Sequence, residues 1–530
     1  LALSLIVAHM RARTGWTVAD HADWLDERHQ DHRLDTGIEL ALGLSYQHLP
    51  QQRRRVFRLL ALHPGDEFDV YACAVLADID LAAARAHLDR LVADNLLHRN
   101  PAGRTGAGRT GADRFAFHDL VRAFAYDRAK AEDRPPDRLA ASTRLSDYYV
   151  AASALAMDLV VPAERDRRPV VGKPAQAPPL DDAQTAKAWL DNERANLLAT
   201  ASQATDRQAI LMAAILFRYL DTGGHYGEST TLHSHALRAA RDIGDESAQA
   251  HALTNLGIVH MRQGRQPAAA DRHHQAIELA RAAGDRKCEA RASTNLGGAY
   301  WLMGRYADAA DQHKQALTLV RELGDPLGEA QALGNLGLIH DLLGDHEQAL
   351  ADHQRALALF RELGHRLGVA RSLGNIGETY CELGRYELAI EHHELALAEV
   401  RALGERSGEA TVFVGLGMVY QRLARWDDAV EHYREALARF RELGQPHGEV
   451  ESRNGLAETL SSAGDPQEAI DHFLVAVELA GDGGDARQQA RAHRGLAEAY
   501  SRVDEPDKAR RHRDEALRID IDLDAAGDQG

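Results

Sequence analysis

Small and apolar positions in the C-terminal part of the chain recur every 40 residues, and each recurrence reads as a pair of helices. The recurring segment begins at Thr254, Thr294, Gly334 and Gly374, and looser copies begin at Val414, Asn454 and Arg494. Glycines keep the same interval at Gly244, Gly284, Gly324, Gly364, Gly404, Gly444 and Gly484. In the second copy the pattern predicts helices over residues 287–302 and 307–323. The glycine after each second helix suits a left-handed C-cap.

The spacing of small and large residues predicts that the two helices of each pair touch, and that the pairs stack. In the second copy we expect contacts at Gly297, Ala309 and Ala316, with large side chains between them at Leu296, Tyr300, Tyr306 and Leu317. One pair cannot bury its apolar face alone, so stacking must stabilise it. A degenerate unit at residues 216–228 precedes the seven clear ones. The sequence therefore predicts an α-solenoid of about eight helix pairs over residues 207–518.

Two motifs in these pairs resemble those of the tetratricopeptide repeat (TPR). The first helix carries Leu296-Gly297-x-x-Tyr300, repeated as Ile376-Gly377-x-x-Tyr380. The second helix carries Ala429-x-x-x-Tyr433-x-x-Ala436. The 40-residue period is longer than the common repeat and is similar to the long-helix variant found in scaffold and regulator proteins. The resemblance implies a concave groove lined by the first helices.

Five histidines fall one repeat apart, at His233, His273, His313, His353 and His393. Stacked helices lie roughly 8–10 Å apart, too far for neighbouring repeats to share one metal at bond lengths of about 2 Å. Aromatic residues take the same position later, at Tyr433 and Phe473. We therefore expect ring packing between repeats and no metal site.

An asparagine recurs in the first helix of four repeats, at Asn255, Asn295, Asn335 and Asn375. The TPR resemblance implies that this position faces the groove, where an amide can both donate to and accept from the backbone of an extended peptide. Arg291 and Arg371 precede two of these residues by one helical turn and could recognise a carboxylate. The alternative is that the asparagines cap nearby backbone or face solvent. We expect the groove to bind a peptide or protein partner.

Residues 38–132 have a different texture, in which helices are followed by a two-strand hairpin, so that they predict a winged-helix domain. The stretch from Gly106 to Gly111 matches a G-x-G-x-x-G pattern. A dinucleotide loop must lead from a strand into a helix. Here the glycines lead into a second predicted strand, so we interpret them as a flexible hairpin tip.

The segment Phe117-His118-Asp119 then leads from a strand into an amphipathic helix. It resembles the Met-His-Asp motif that ends the winged helix of STAND-type (NB-ARC) nucleotide switches, with Phe117 in place of Met. The segment LALSLIVAHM at residues 1–10 resembles the start of the helix after the Gly-Leu-Pro motif in the preceding helical subdomain of such switches. The segments SYQHLPQQRRRVFRLLALHPG at residues 45–65 and AKAWLDNERANLLA at residues 186–199 look like those of TPR-bearing regulators of actinobacteria. The resemblance implies that His118 contacts the β-phosphate of bound ADP. Asp119 would cap the following helix. The alternative for His118 is a buried side chain that bridges strand and helix.

The chain has no G-x-x-x-x-G-K-[ST] loop, so we expect ADP or ATP to bind only in the full-length protein and no cofactor in this chain. We expect residues 1–37 to end the helical subdomain of a truncated NB-ARC module, and residues 133–206 to form a helical and Pro-rich connector. Residues 519–530 form an acidic tail that we expect to fray. The chain itself has the features of a C-terminal fragment.

Charge and composition narrow the function. The net charge is −18, and residues 201–530 carry 52 Asp and Glu against 36 Lys and Arg, so this part repels nucleic acid. Three scattered cysteines and no long apolar run suggest a reduced, cytoplasmic protein with no membrane contact. No catalytic constellation stands out, so we expect no enzyme.

The function expected from the sequence is a regulatory interaction module of a nucleotide switch that acts in transcriptional regulation. Oligomerisation is possible on activation. The alternative is a regulator that contacts DNA directly through its winged helix. The candidate basic positions for that contact are Arg53, Arg54, Arg55, Arg58, Arg99, Arg104, Arg109 and Arg114.

Overall fold

The computed structural model describes residues 37–100, 113–174, 176–483 and 485–528, which divide into two compact units at Val259 and His260. In the first unit the elements are α1 (Gly37–His48), α2 (Gln51–Leu60), β1 (Glu67–Phe68), α3 (Val70–Ala77), α4 (Leu81–Ala93), β2 (His98–Asn100), β3 (Arg114–Ala116), α5 (Asp119–Glu132), α6 (Pro135–Val160), a 3₁₀ turn (Pro162–Arg167), α7 (Ala183–Gln203), α8 (Asp206–Thr222) and α9 (Tyr226–Asp242).

Helices α1 to α5 and the three strands form one helix–sheet module over residues 37–132. The strands lie in the order β1–β3–β2 and are antiparallel, with Phe68 opposite Phe115. The rings of Phe57, Phe68 and Phe115 are fully buried and form its core. The predicted helices and hairpin strands are present in this module, and its assignment as a winged helix stays a prediction. Strand β1, with two residues, was too short for the sequence pattern to reveal.

Asp side chains start two helices of this module. Asp69 accepts a hydrogen bond from the backbone N–H of Ala72, and Asp80 accepts one from Ala83, both at 2.8 Å. These bonds satisfy N–H groups that have no partner inside the helix. Residues 1–36 and the glycine stretch at 106–111 lie outside the described residues, so the predictions made for them stay predictions.

The repeats begin with α10 (Glu246–Arg262), which spans the division between the units. The further helices are α11 (Gln266–Ala282), α12 (Arg286–Leu302), α13 (Tyr306–Glu322), α14 (Pro326–Leu342), α15 (His346–Glu362), α16 (Arg366–Glu382), α17 (Tyr386–Leu403), α18 (Arg406–Arg422), α19 (Trp426–Glu442), α20 (Pro446–Ala463), α21 (Pro466–Gly483), α22 (Ala486–Arg502) and α23 (Pro506–Asp528). With α8 and α9, the described residues form eight helix pairs, as predicted. We number the repeats 1 to 7 from α10.

Turns in the repeats use glycine in the left-handed region. After the second helix of repeat 2, Gly324 has φ 63°, and the turn inside that repeat places Gly304 at φ 77°. Ala424 adopts the same conformation at φ 55° although it carries a Cβ. The predicted C-cap role of the glycines is confirmed where the structure describes them. Helix α23 continues to Asp528, and the expected fraying after residue 519 stays a prediction.

The predicted packing residues of repeat 2 behave as expected with one exception. Ala309 and Ala316 are fully buried, and Leu296 is buried between the two helices. Tyr306 is only half-buried. Its hydroxyl instead accepts a hydrogen bond from the Arg487 guanidinium, 181 residues further along the chain. Within the second unit the rod therefore curves far enough to bring repeats 2 and 7 into contact.

The inner face of the repeats

The first helices of the repeats line the inner side of the curve in the second unit. Consecutive first helices contact one another directly in the pairs α14–α16, α16–α18, α18–α20 and α20–α22. In a curved stack, the helices on the inner side approach one another more closely than those on the outer side.

The described helices include none that is both long enough and apolar enough to cross a membrane.

The four asparagines lie on the first helices of repeats 1 to 4. Asn255 is buried, and Asn295, Asn335 and Asn375 are half-buried. The same position holds Gly415 in repeat 5, where an added Cβ would overlap the His393 ring of the preceding repeat. The asparagine series therefore ends after repeat 4, because the His393 ring leaves no room for a side chain at this position of repeat 5. Its role in binding a partner stays a prediction.

The two predicted arginines differ in their surroundings. Arg291 is half-buried and lies close to the His273 ring. Arg371 is exposed, and no ion pair reaches it from the residues that the structure describes. Arg371 is thus available to an outside group, whereas Arg291 interacts with other groups of the chain.

Carboxylates that the motif comparison missed lie on the inner face next to the asparagines. Glu378 is half-buried, and its pKa rises to about 7, first because it is desolvated and then because Glu451, Asp341 and Glu382 are near. A signal was present in the sequence, because Glu378, Glu458 and Glu498 occupy the same repeat position.

Large apolar side chains are exposed on the first helices of repeats 2 and 3. Trp301 is 42% exposed, Leu302 45%, Leu338 38% and Leu342 51%. Scattered exposed leucines are normal, but several on two consecutive repeats form a patch of the kind that marks an interaction site.

The periodic histidines pack as rings, as the sequence predicted. All five are at most 3% exposed. A Cβ added at Gly297 would lie 2.7 Å from the His313 ring, and one added at Gly377 would lie 2.8 Å from the His393 ring. Glycine therefore leaves the space that each ring fills. Burial lowers the pKa of His273 to about 3 and the pKa values of His313 and His393 to about 4.

His118 lies at the surface of the helix–sheet module. It occupies the N-cap position of α5 without capping it by a side-chain hydrogen bond, and it is exposed. The alternative of a buried bridging histidine is therefore wrong. Asp119 is the first residue of α5, so the expected cap role of Asp119 is wrong as well. Its carboxylate still favours the helix N-terminus through the helix dipole.

Several arginines that could have contacted DNA are engaged in ion pairs within the first unit. Arg58 donates to both carboxylate oxygens of Asp133 at 2.8 Å and to Glu132 at 2.7 Å. Arg114 pairs with Glu193, and Arg99 pairs with Asp89. Arg104 and Arg109 lie outside the described residues.

A buried polar network joins the helix–sheet module to the connector helices. Glu193 on α7 is 2% exposed and pairs with Arg114 on β3. Its other oxygen accepts from Tyr149 of α6 at 3.0 Å and from Asn196 at 2.7 Å. Asn196 also donates to the backbone oxygen of Glu67 in β1 at 2.9 Å. The network connects two strands to two connector helices.

Comparison with known proteins agrees with this arrangement. A tetratricopeptide repeat model matches residues 250–322, 328–402 and 408–482, and a second such model matches residues 490–515. These residues are therefore tetratricopeptide repeats, as their motifs predicted.

The chain is also similar to curated regulators. Regulatory protein AfsR of Streptomyces griseus is 30% identical over 282 residues, which are 50% of this chain and 27% of that protein. Regulatory protein AfsR of Streptomyces coelicolor is 30% identical over 280 residues, with the same two shares. The chain thus spans about a quarter of the length of the curated relatives it matches.

Among solved structures, the chain is similar to a Signal Transduction ATPase with Numerous Domains (STAND) protein with a tetratricopeptide repeat sensor from Pyrococcus horikoshii. The match has a TM-score of 0.58 and 13% identity, and it covers 99% of this chain and 74% of that one. At this identity the likeness shows the fold. Together with the repeats and the regulator relatives, it supports the predicted resemblance to a STAND-type regulator with tetratricopeptide repeats.

Proposed function

We propose, for a chain that carries tetratricopeptide repeats and resembles STAND-type regulators, that it is a regulatory module whose repeats bind a peptide or protein partner on their inner face. The observation that carries the proposal is the surface of repeats 2 to 4. Exposed apolar side chains there lie beside half-buried amides at Asn295, Asn335 and Asn375. Stacking of the repeats leaves part of each of these groups uncovered, and a bound chain would cover that part.

The test is selection of a phage-displayed random peptide library on the purified chain, followed by titration of a selected peptide. The variant N295A/N335A/N375A should bind that peptide at least roughly tenfold more weakly, because it loses three amide pairs. The matched control Q275A/Q315A/Q354A changes exposed amides on second helices. Equal loss in both variants, or no selected peptide at all, would contradict the proposal.

We further propose that the helix–sheet module couples partner binding to an ADP- or ATP-binding core upstream in the full-length protein, in the control of transcription. The exposed imidazole of His118 fits the role of one donor to a phosphate. The chain offers no phosphate-binding loop around it. The network at Glu193 supports the coupling, because it connects the strands of the module to α6 and α7.

This coupling predicts different results for the chain and the full-length protein. The chain alone should show no saturable binding of ADP by calorimetry, since one hydrogen bond is too little for affinity. In the full-length protein, His118→Ala should weaken ADP binding, whereas His98→Ala, an exposed control in the same module, should not. Unchanged ADP affinity in His118→Ala would rule out the contact.

A further inference from the structure

The inner face changes its chemistry between two neighbouring repeats while it keeps its geometry. We define the acidic triplet as Asp341 at the end of α14 with Glu378 and Glu382 on α16. The electrostatic effect of Asp341 and Glu382 on Glu378 shows that these three carboxylates lie close together.

We define the apolar triplet as Trp301, Leu338 and Leu342. Each residue of it lies 40 residues before its counterpart in the acidic triplet, on helices whose bounds are shifted by the same interval. The repeat therefore gives the two triplets the same arrangement one step apart. Each side chain of the apolar triplet is more than a third exposed, so the described chain leaves part of the patch uncovered.

The carboxylates near Glu378 are only partly compensated. Glu382 pairs with Arg422 at 3.2 Å, and Asp341 accepts from Thr379 at 2.8 Å and pairs with His346 at 3.1 Å. No ion pair reaches Glu378 or Glu451 from the described residues. Arg422 lies at Glu382 and the charge of Arg491 acts on Glu451, but Glu378 itself has no cationic partner among the described residues.

We propose that the inner face binds an extended peptide that places a large apolar side chain on the apolar triplet and a lysine or arginine at Glu378 and Glu451. This inference rests on the proposed function and names the chemistry of its partner. The apolar side chain would be buried against Trp301, and the cation would supply the charge that the carboxylates lack. The partner would then carry a basic group for Glu378 and Glu451, whereas Arg371 alone would favour a carboxylate in the partner.

The geometry sets the spacing in the peptide. The first helices of repeats 3 and 4 are in direct contact, and packed helices lie roughly 8–10 Å apart. An extended chain advances about 3.3 Å per residue. The apolar and basic residues of the partner should therefore be about three positions apart.

The test uses the same random peptide library on the full chain and on two variants. The wild-type chain should enrich peptides with an apolar residue about three positions from a lysine or arginine. Selection on E378Q/E451Q should lose the basic preference and keep the apolar one. Selection on W301A/L342A should do the reverse. The controls E394Q and L395A change an exposed carboxylate and an exposed leucine on α17 and should select as the wild type does.

A titration of one selected peptide gives a second readout. Desolvation, and after it the nearby carboxylates, raises the pKa of Glu378 to about 7 and keeps it partly protonated at neutral pH, and a bound cation favours its ionised form. Binding near pH 7 should therefore release protons, measured by calorimetry in two buffers of different ionisation enthalpy, and affinity should rise between pH 6 and pH 8. E378Q should bind roughly tenfold more weakly without this release.

Other outcomes are also decisive. Selected peptides that depend on Asn295, Asn335 and Asn375 but show no basic preference would overturn this inference and leave the proposed function standing. No selected peptide would overturn both. Binding that Mg²⁺ abolishes and a chelator restores would identify Glu378 and Glu451 as a cation site instead, and would also overturn the inference.

Discussion

His273, His313 and His393 are space-filling rings of the repeats, and their burial makes the fold sensitive to acid. Desolvation is the largest cause of the low pKa values of His273, His313 and His393. In the unfolded chain these groups titrate near 6.5. The folded state therefore binds fewer protons below that pH, and stability is lost as pH falls from about 6.5 towards the folded pKa values near 3 to 4.

Phenylalanine, which the chain itself uses at this repeat position, can replace histidine to test this consequence. Phe473 occupies the same position in repeat 6. The variant H273F/H313F/H393F should lose most of the acid sensitivity that these sites cause, about 2 kcal/mol per histidine between pH 7.5 and pH 5. Urea unfolding at the two pH values measures the effect. His98→Gln, at an exposed site, should leave the pH dependence unchanged. A triple variant as acid-sensitive as the wild type would contradict the explanation.

Two glycines in one helix separate ring packing from helix propensity. A Cβ added at Gly337 would lie 2.5 Å from the His353 ring, whereas one added at Gly334 meets nothing within 4 Å. Gly337→Ala should therefore destabilise the chain by about 1–3 kcal/mol. Gly334→Ala in the same helix should stabilise it by up to about 1 kcal/mol. Denaturant midpoints of the two variants should move in opposite directions, and a shift of both in the same direction would refute the ring contact.

At the scale of elements, the Glu193 network holds the connector helix against the sheet. Removing one partner of a buried ion pair leaves the other charge uncompensated and costs about 3–5 kcal/mol. Glu193→Ala should therefore destabilise the first unit by this order. It should also speed amide exchange in β3 and α7, as read by mass spectrometry.

Two further variants test whether Arg114 and Glu193 act together. Asn192→Ala changes an exposed residue on the same helix and should have no such effect. The double variant Arg114→Met with Glu193→Leu removes both charges and should recover part of the lost stability. If the stability losses of the single variants Arg114→Met and Glu193→Leu simply add in the double variant, Arg114 and Glu193 are not coupled.

The sequence predicted elements that depend on local patterns and missed contacts that depend on distant residues. The helix pairs of the repeats follow from their periodicity and from the glycines that end the helices. The pairing of Arg114 with Glu193 joins residues 79 positions apart, and no local pattern encodes it. Of the acidic triplet only Glu378 left a signal in the sequence, because glutamate recurs at its repeat position at Glu458 and Glu498.

At the scale of the whole molecule, curvature decides which surfaces can meet a partner, and one contact limits that curvature in the second unit. Arg487 at the start of repeat 7 hydrogen-bonds Tyr306 in repeat 2 and lies 5.7 Å from the centre of its ring. Helix pairs in a solenoid otherwise contact only their neighbours. This contact therefore sets the width of the inner face independently of the stacking.

Loss of this contact should let the second unit open. Arg487→Ala should broaden and lengthen the distance distribution between nitroxide labels at exposed positions Ala307 and Asp482, measured by double electron–electron resonance. The native cysteines Cys73, Cys288 and Cys381 are buried, which favours selective labelling of the introduced cysteines.

Tyr306→Phe keeps the ring and removes the hydrogen-bond acceptor, so its distance distribution should lie between those of the wild type and Arg487→Ala. Arg510→Ala, an exposed arginine on α23, should leave the distribution unchanged. A narrow, unshifted distribution in Arg487→Ala would show that stacking alone fixes the curve.

A wider inner face would also separate Glu378 from Glu451, which lie two repeats apart. Arg487→Ala should therefore weaken the binding of a selected basic peptide more than the binding of a peptide without a cation.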